Sequence, residues 1–190
     1  MSALRILGID TSGKVAAAAL YDSECRCLLA QQTVYTKRTH SQVILPLAER
    51  LLADTGLNWQ DVDGFAAAKG PGSYTGLRIG ISAAKGLAWA RELPCIGVST
   101  LEAMAQNLAH LENTVLVCAM DARRSQVYNA LFWAEGGTLQ RLCPDRAVSL
   151  AAVAEDLRRE HRAKIVVGDG AVLCYNALKD AGVSCALAQE

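Results

Sequence analysis

The chain has no excess of charge of either sign: 19 Lys and Arg balance 19 Asp and Glu, and the pI is about 6.8. A protein that grips nucleic acid unaided carries a basic surplus, so strong direct binding to RNA is not expected. Hydrophobic residues make up 52% of the chain. No apolar run reaches the roughly 18 residues that span a bilayer. The first residues carry one Arg and then Asp10, without the apolar core and cleavage site of a secretory leader. A cytoplasmic protein with no membrane partner is the expectation. Cys-x-x-Cys pairs are also missing. The seven cysteines are scattered, and Cys25-x-Cys27 is too close for a zinc knuckle. They read as small buried hydrophobes, and no metal site is expected. Neither Gly-x-Ser-x-Gly nor His-Glu-x-x-His occurs, and the three histidines stand apart from one another. No catalytic residue can be named from these patterns.

What the chain does have is a glycine-rich stretch, Lys69-Gly70-Pro71-Gly72-Ser73-Tyr74-Thr75-Gly76-Leu77-Arg78-Ile79-Gly80. It lies between the apolar run Gly64–Ala68, read as a strand, and a helix ending near Ala90. Glycine and proline favour the tight turn that joins the two. The pattern is not a P-loop, since no Gly-Lys-Ser/Thr closes it, and its spacing differs from the dinucleotide fingerprint. Two readings remain. Backbone N–H groups at the helix N-terminus could cradle an anion, or the glycines could serve close packing. In the helix, Gly76, Gly80, Ala84 and Ala88 fall at successive i+4 positions, with Ser82, Gly86 and Ala90 as a second small row. An interior glycine costs roughly 1 kcal/mol against alanine. Gly80 and Gly86 therefore call for a compensating close contact, and a packing or partner surface is the favoured reading.

In chain order, Leu4–Asp10 reads as a buried strand, Thr11-Ser12-Gly13 as a turn and Val15–Tyr21 as a returning strand, followed by a third over 27–34. An acid at a strand end with hydroxyls in the turn can hold a phosphate through Mg²⁺. The same residues also hydrogen-bond their own turn routinely. Ile44, Leu47, Ala48, Leu51 and Leu52 form the stripe of an amphipathic helix, capped by Thr39 or Ser41 and ended by Gly56. Pro46 falls within the first turn or so. His40 reads as a loop or cap residue, because no second ligand lies near it. The first hundred residues thus read β-β-β-α-β-α, closed by a short strand near 94–100.

The second half begins with a capping box at Ser99 and Glu102, opening a helix through Leu111. Thr114–Asp121 is again a buried strand ending in an acid, Ala122–Ser125 turns, and Val127–Trp133 returns. This restates the opening hairpin and suggests an internal duplication. A strand near 139–142, a helix over 150–161, a strand at Ile165–Gly168, the turn Asp169-Gly170 and a helix over 171–181 follow. Arg123 and Arg124 could meet an anion or lie solvated. Asp169 stands where open α/β folds place ligands and could equally cap a helix.

Taken together, Ile9–Ser12, Thr39–Gln42, Gly70–Gly80, Gly97–Leu101 and Asp121–Tyr128 resemble the bacterial TsaB (YeaZ) family. The resemblance runs from Ile6 to about Gly170. It implies a two-lobed α/β fold of the actin/Hsp70/sugar-kinase-like (ASKHA) type, with lobes at 1–102 and 103–190 and a reduced C-terminal lobe. Members usually extend some tens of residues further, in a segment returning to the first lobe. It also implies a part in making N6-threonylcarbamoyladenosine at position 37 of tRNA. There the chain would be a non-catalytic subunit pairing with TsaD, joined by the ATPase TsaE. ATP and Mg²⁺ would sit on those partners, and tRNA would be met only through the complex. In isolation a homodimer is implied, formed through the same surface. That surface is placed on the first two helices: His40, Ile44, Leu47, Ala48 and Leu51 on one, and Tyr74, Gly76, Leu77, Gly80, Ile81, Ala84, Leu87 and Ala88 on the other. Asp10, Thr11, Ser12, Gly70, Gly72 and Ser73 form a possible vestigial phosphate site. The alternatives are a stand-alone ASKHA-type ATPase or kinase using that hairpin with Asp121 or Asp169, and, ranked last, a protease of the sister subunit.

Overall fold

A computed structural model describes residues 4–35 and 38–188. The chain divides into two compact units, 1–98 and 99–190. The division expected from sequence, after residue 102, would cut a helix that belongs wholly to the second unit.

The first unit is built on the alternation of its opening strand. In β1 (Arg5–Asp10), Leu7 and Ile9 are buried, while Ile6 and Gly8 lie on the other face. β2 (Ala16–Asp22) returns antiparallel, pairing Asp10 with Ala17, and β3 (Cys27–Val34) continues the meander. Helix α1 (His40–Asp54) then crosses over to β4 (Gly64–Gly70), which lies parallel to β1. A single turn of 3-10 helix at Trp59–Asp61 precedes β4. Helix α2 (Tyr74–Ala90) and β5 (Cys95–Ser99) complete a sheet of order β3-β2-β1-β4-β5. The core of this unit joins Leu7, Ile9, Leu20 and Phe65 to the inner faces of α1 and α2. Thr39 stands at the N-cap of α1 but makes no capping hydrogen bond. Because the helix starts at His40, Pro46 lies in its second turn, exposed, and not in the first.

The second unit opens with α3 (Thr100–Gln106), whose cap Ser99 accepts from the N–H of Glu102. The helix stops five residues short of the expected Leu111, and Leu108 and Leu111 instead pack from turns onto a core of Leu101, Leu116 and Phe132. β6 (Thr114–Arg123) and β7 (Gln126–Glu135) form the second long hairpin. β8 (Thr138–Arg141) pairs with Phe132–Glu135, and β9 (Arg146–Ser149) with Gln126–Asn129. The two therefore share the role that one strand, β3, has in the first unit. Helix α4 (Leu150–Leu157), strand β10 (Ala163–Val167, parallel to β6), helix α5 (Ala171–Asp180) and β11 (Ala186–Leu187) follow. The order β8-β7-β6-β10-β11 repeats that of the first sheet strand for strand. This bears out the duplication that the two hairpins suggested. β6 is buried on both faces: Val115, Val117 and Ala119 enter one core, and Leu116, Cys118 and Met120 the other. A helix-covered central strand reads in sequence as such a continuous apolar run.

Candidate functional site

Two surfaces drew attention in the sequence, and the structure places both on the first unit. The first is the glycine loop against the β1–β2 turn. Ser12 donates its backbone N–H to Asp10 Oδ1 at 2.7 Å, and its carbonyl accepts from the N–H of Ser73 at 2.7 Å. Thr11, buried, donates its hydroxyl to the carbonyl of Gly76 at 2.7 Å. Ser73 caps α2 by accepting from the N–H of Gly76 at 3.3 Å. The approach is as close as backbones come. A Cβ on Gly72 would lie 2.6 Å from the Ser12 carbonyl, one on Gly76 2.1 Å from that of Thr11, and one on Gly80 2.3 Å from Thr11 Oγ1. Gly70 has φ 109°, a conformation that favours glycine, and the Gly70–Pro71 peptide is cis. Asp10, Thr11, Ser12, Gly72 and Ser73 thus lie in one cluster, and Gly70 ends the strand that leads into it. Asp10, Ser12 and Ser73 are linked by hydrogen bonds within this cluster, and Thr11 and Ser73 bond to Gly76, the internal bonding expected of a turn.

This geometry changes the meaning of the small-residue row. The contact that compensates Gly80 is the chain's own Thr11, and Gly86 has open space around it. Gly76, Gly80, Ala84 and Ala88 form the buried side of α2. On α1, Ile44, Leu47, Ala48 and Leu51 are likewise buried in the unit's own core. Of the thirteen residues assigned to a partner surface, these eight are buried, and among them Ile44 alone also lines the groove described next. Leu77, Ile81 and Leu87 are half-buried, and only Tyr74, at 74% exposure, stands clear. His40 is half-buried, with Nε2 3.0 Å from the carbonyl of Gly13, so it ties the start of α1 to the first hairpin.

The second surface lies one helical row over. The outer sides of α1 and α2 enclose an apolar groove of about 460 Å³, floored by Ile44 and Ile79 and walled by Leu45, Thr75, Ser82 and Ala83. Tyr74 and Arg78 stand at its edge, the guanidinium 5.4 Å from the ring centre and donating to the phenol oxygen at 3.3 Å. Ser82 was read only as part of a second small row, and Leu45, Thr75, Arg78, Ile79 and Ala83 were not assigned to a surface from sequence. The signal was present as a row at 75, 79 and 83, offset by one residue from the glycine row. Both rows are small or apolar, and periodicity alone does not say which of two such rows faces the core.

In the second unit the acid at the end of β6 behaves as its counterpart in β1 does. Asp121 Oδ1 accepts from the N–H of Arg123 at 2.7 Å, the same i to i+2 turn as Asp10 to Ser12. Arg123, Arg124 and Ser125 all have positive φ, between 52° and 66°, and are exposed. Asp169 Oδ1 accepts from the N–H of Asp121 at 3.3 Å, joining the ends of β6 and β10. Among the described residues no group of three or more His, Cys, Asp or Glu could hold a metal ion. The cysteines divide. Cys118 and Cys174 are buried, and burial pushes both thiols up to about 12. Cys25, Cys27 and Cys95 are exposed, against the expectation of buried hydrophobes, because they sit at a hairpin tip and on an edge strand.

Residues 29–179 match the family model described as "TsaD: tRNA N6-adenosine threonylcarbamoyltransferase". The tRNA threonylcarbamoyladenosine biosynthesis protein TsaB of Bacillus subtilis is 37% identical over 177 residues, covering 93% of this chain and 76% of that protein. The Escherichia coli protein of the same name is 41% identical over 133 residues, covering 70% of this chain and 54% of its own length. A Pseudomonas aeruginosa structure described as an uncharacterized protein with similarity to peptidase YEAZ superposes with a TM-score of 0.83 at 25% identity, covering 98% and 84% of the two chains. A Bacteroides thetaiotaomicron protein with an actin-like ATPase fold superposes with a TM-score of 0.51 at 13% identity, over 97% and 90%, a likeness of fold alone. The α/β fold is therefore the actin-like one, and the chain belongs to the TsaB family of tRNA threonylcarbamoyladenosine biosynthesis proteins.

Proposed function

We propose that this chain is a non-catalytic platform that pairs with a TsaD-family protein for threonylcarbamoylation of adenosine 37 in tRNA. The observation that carries the pairing is the apolar groove between the outer sides of α1 and α2, edged by the exposed Tyr74 and Arg78. Such a groove, with an aromatic and an arginine beside it, has the make-up of a protein-binding hot spot. The occupant we assign is the corresponding helix pair of TsaD, or of a second copy of this chain when it is alone. TsaE joins the pair, ATP and Mg²⁺ reside on the partners, and tRNA is met through the complex, in keeping with the neutral charge. The site of action is the cytoplasm.

Light scattering of the protein alone and then mixed with TsaD tests the reading. The expected result is a homodimer giving way to a one-to-one heterodimer. A monomer that ignores TsaD would overturn it.

A further inference from the structure

The hairpin between β2 and β3 turns through Ser23, Glu24, Cys25 and Arg26, and β3 resumes with Cys27 opposite Asp22. The turn is held firmly. The Asp22 carboxylate accepts from the backbone N–H of Glu24 at 2.8 Å and of Cys25 at 3.4 Å, and from Arg5 Nε at 3.1 Å. Arg26, between the two cysteines, has φ 51°. A left-handed residue curls the chain, so its neighbours' Cα atoms lie closer than the roughly 7 Å that two extended residues span. A disulfide asks for Cα atoms about 4.4–6.8 Å apart. Both thiols are exposed, and the neighbouring Cys25 holds the Cys27 thiol above its ordinary value. The Cys25 thiol also donates to the carbonyl of Asp22 at 3.8 Å. Neither cysteine belongs to the α1–α2 groove or to either hairpin acid, so nothing described above employs them.

We propose that Cys25 and Cys27 form a thiol–disulfide site that closes by exchange with a low-molecular-weight disulfide of the glutathione class. One cysteine, as thiolate, attacks the small disulfide and expels one small thiolate. The neighbouring cysteine then attacks the protein sulfur of the mixed disulfide and expels the second. The protein dithiol loses two electrons and two protons, and the small disulfide becomes two thiols. The second step is favoured because the partner cysteine lies only two residues away across the turned Arg26, which gives it an effective concentration of about millimolar or more. Cys118 and Cys174 are too buried and too fully protonated to compete.

The test equilibrates the folded Cys95→Ser variant of the full chain with buffers of reduced and oxidised glutathione. Removing Cys95 silences the remaining exposed thiol. Free thiols are trapped by alkylation and the protein is read by mass. Trypsin cuts after Lys14, Arg26 and Lys37, so ring closure leaves the peptides 15–26 and 27–37 joined until a reductant is added. The expected result is loss of two free thiols without added glutathione mass, reversed by reduced glutathione. Adding Cys25→Ser should leave Cys27 forming only the mixed disulfide. Stable mixed disulfides on both cysteines, or thiols that stay reduced wherever Cys25→Ser/Cys95→Ser does as well, would overturn the proposal. Both positions are exposed at a hairpin tip, so circular dichroism should show every variant folded.

Discussion

At the scale of single residues, Gly80 carries the sharpest consequence. Its missing side chain leaves room for Thr11 Oγ1, which is occupied in turn by a hydrogen bond to Gly76. Gly80→Ala should therefore destabilise the first unit by about 1–3 kcal/mol through overpacking, and Gly80→Leu should prevent its folding. Chemical denaturation followed by circular dichroism checks both. A Gly80→Leu variant that stayed folded and lost only partner binding would restore the small-residue row as an interface. Ionisation at the other end of the chain gives a second residue-scale expectation. The Arg162 guanidinium holds the Glu160 carboxyl down to about 2, with a 2.6 Å ion pair. A carboxylate whose folded value is depressed adds stability above its unfolded value, near 4.3, and that stability is lost as pH falls towards 2. Glu160→Gln should thus lower stability slightly at pH 7, by no more than about 1 kcal/mol for a half-buried surface pair. The difference from the parent should shrink between pH 4 and 2.

At the scale of elements, α1 and α2 are each two-sided, with Ile44, Ile79 and Ala83 shared between the sides. The inner rows hold the core and the outer rows line the groove. Leu45→Glu and Ser82→Arg place charge on exposed outer positions. They should leave the melting curve of the first unit unchanged while abolishing the heterodimer in light scattering. Ser73→Ala acts differently. It removes the cap on the N–H of Gly76 at the start of α2 and should cost about 1 kcal/mol of stability.

At the scale of the whole molecule, the two units repeat one topology and even one turn, Asp10 to Ser12 and Asp121 to Arg123. In the first unit, the Asp10 carboxylate, the Thr11 hydroxyl and the backbone N–H groups of Ser12 and Ser73 are taken up by hydrogen bonds within the turn and the start of α2. Calorimetry with Mg-ATP on the purified chain should accordingly show no tight binding. Tight binding lost on Asp10→Ala would instead favour an independent ATPase or kinase.

Much of this architecture was determined by sequence alone, because strand burial, caps and turn glycines are local. The apolar runs of β1 and β6, the Ser99–Glu102 cap and the strand–glycine–helix junction at residues 64–90 each carry their own signal within a few residues. The short β9 and β11 carry too little pattern to be read, and they form because β7 and β10 beside them offer open hydrogen-bonding groups. The faces of α1 and α2 also needed the tertiary structure. Glycine and alanine at i+4 spacing record that something comes close, but not what. Only the folded chain shows that the neighbour is its own Thr11, sixty-nine positions before Gly80, and that the groove lies along the next row, at Thr75, Ile79 and Ala83.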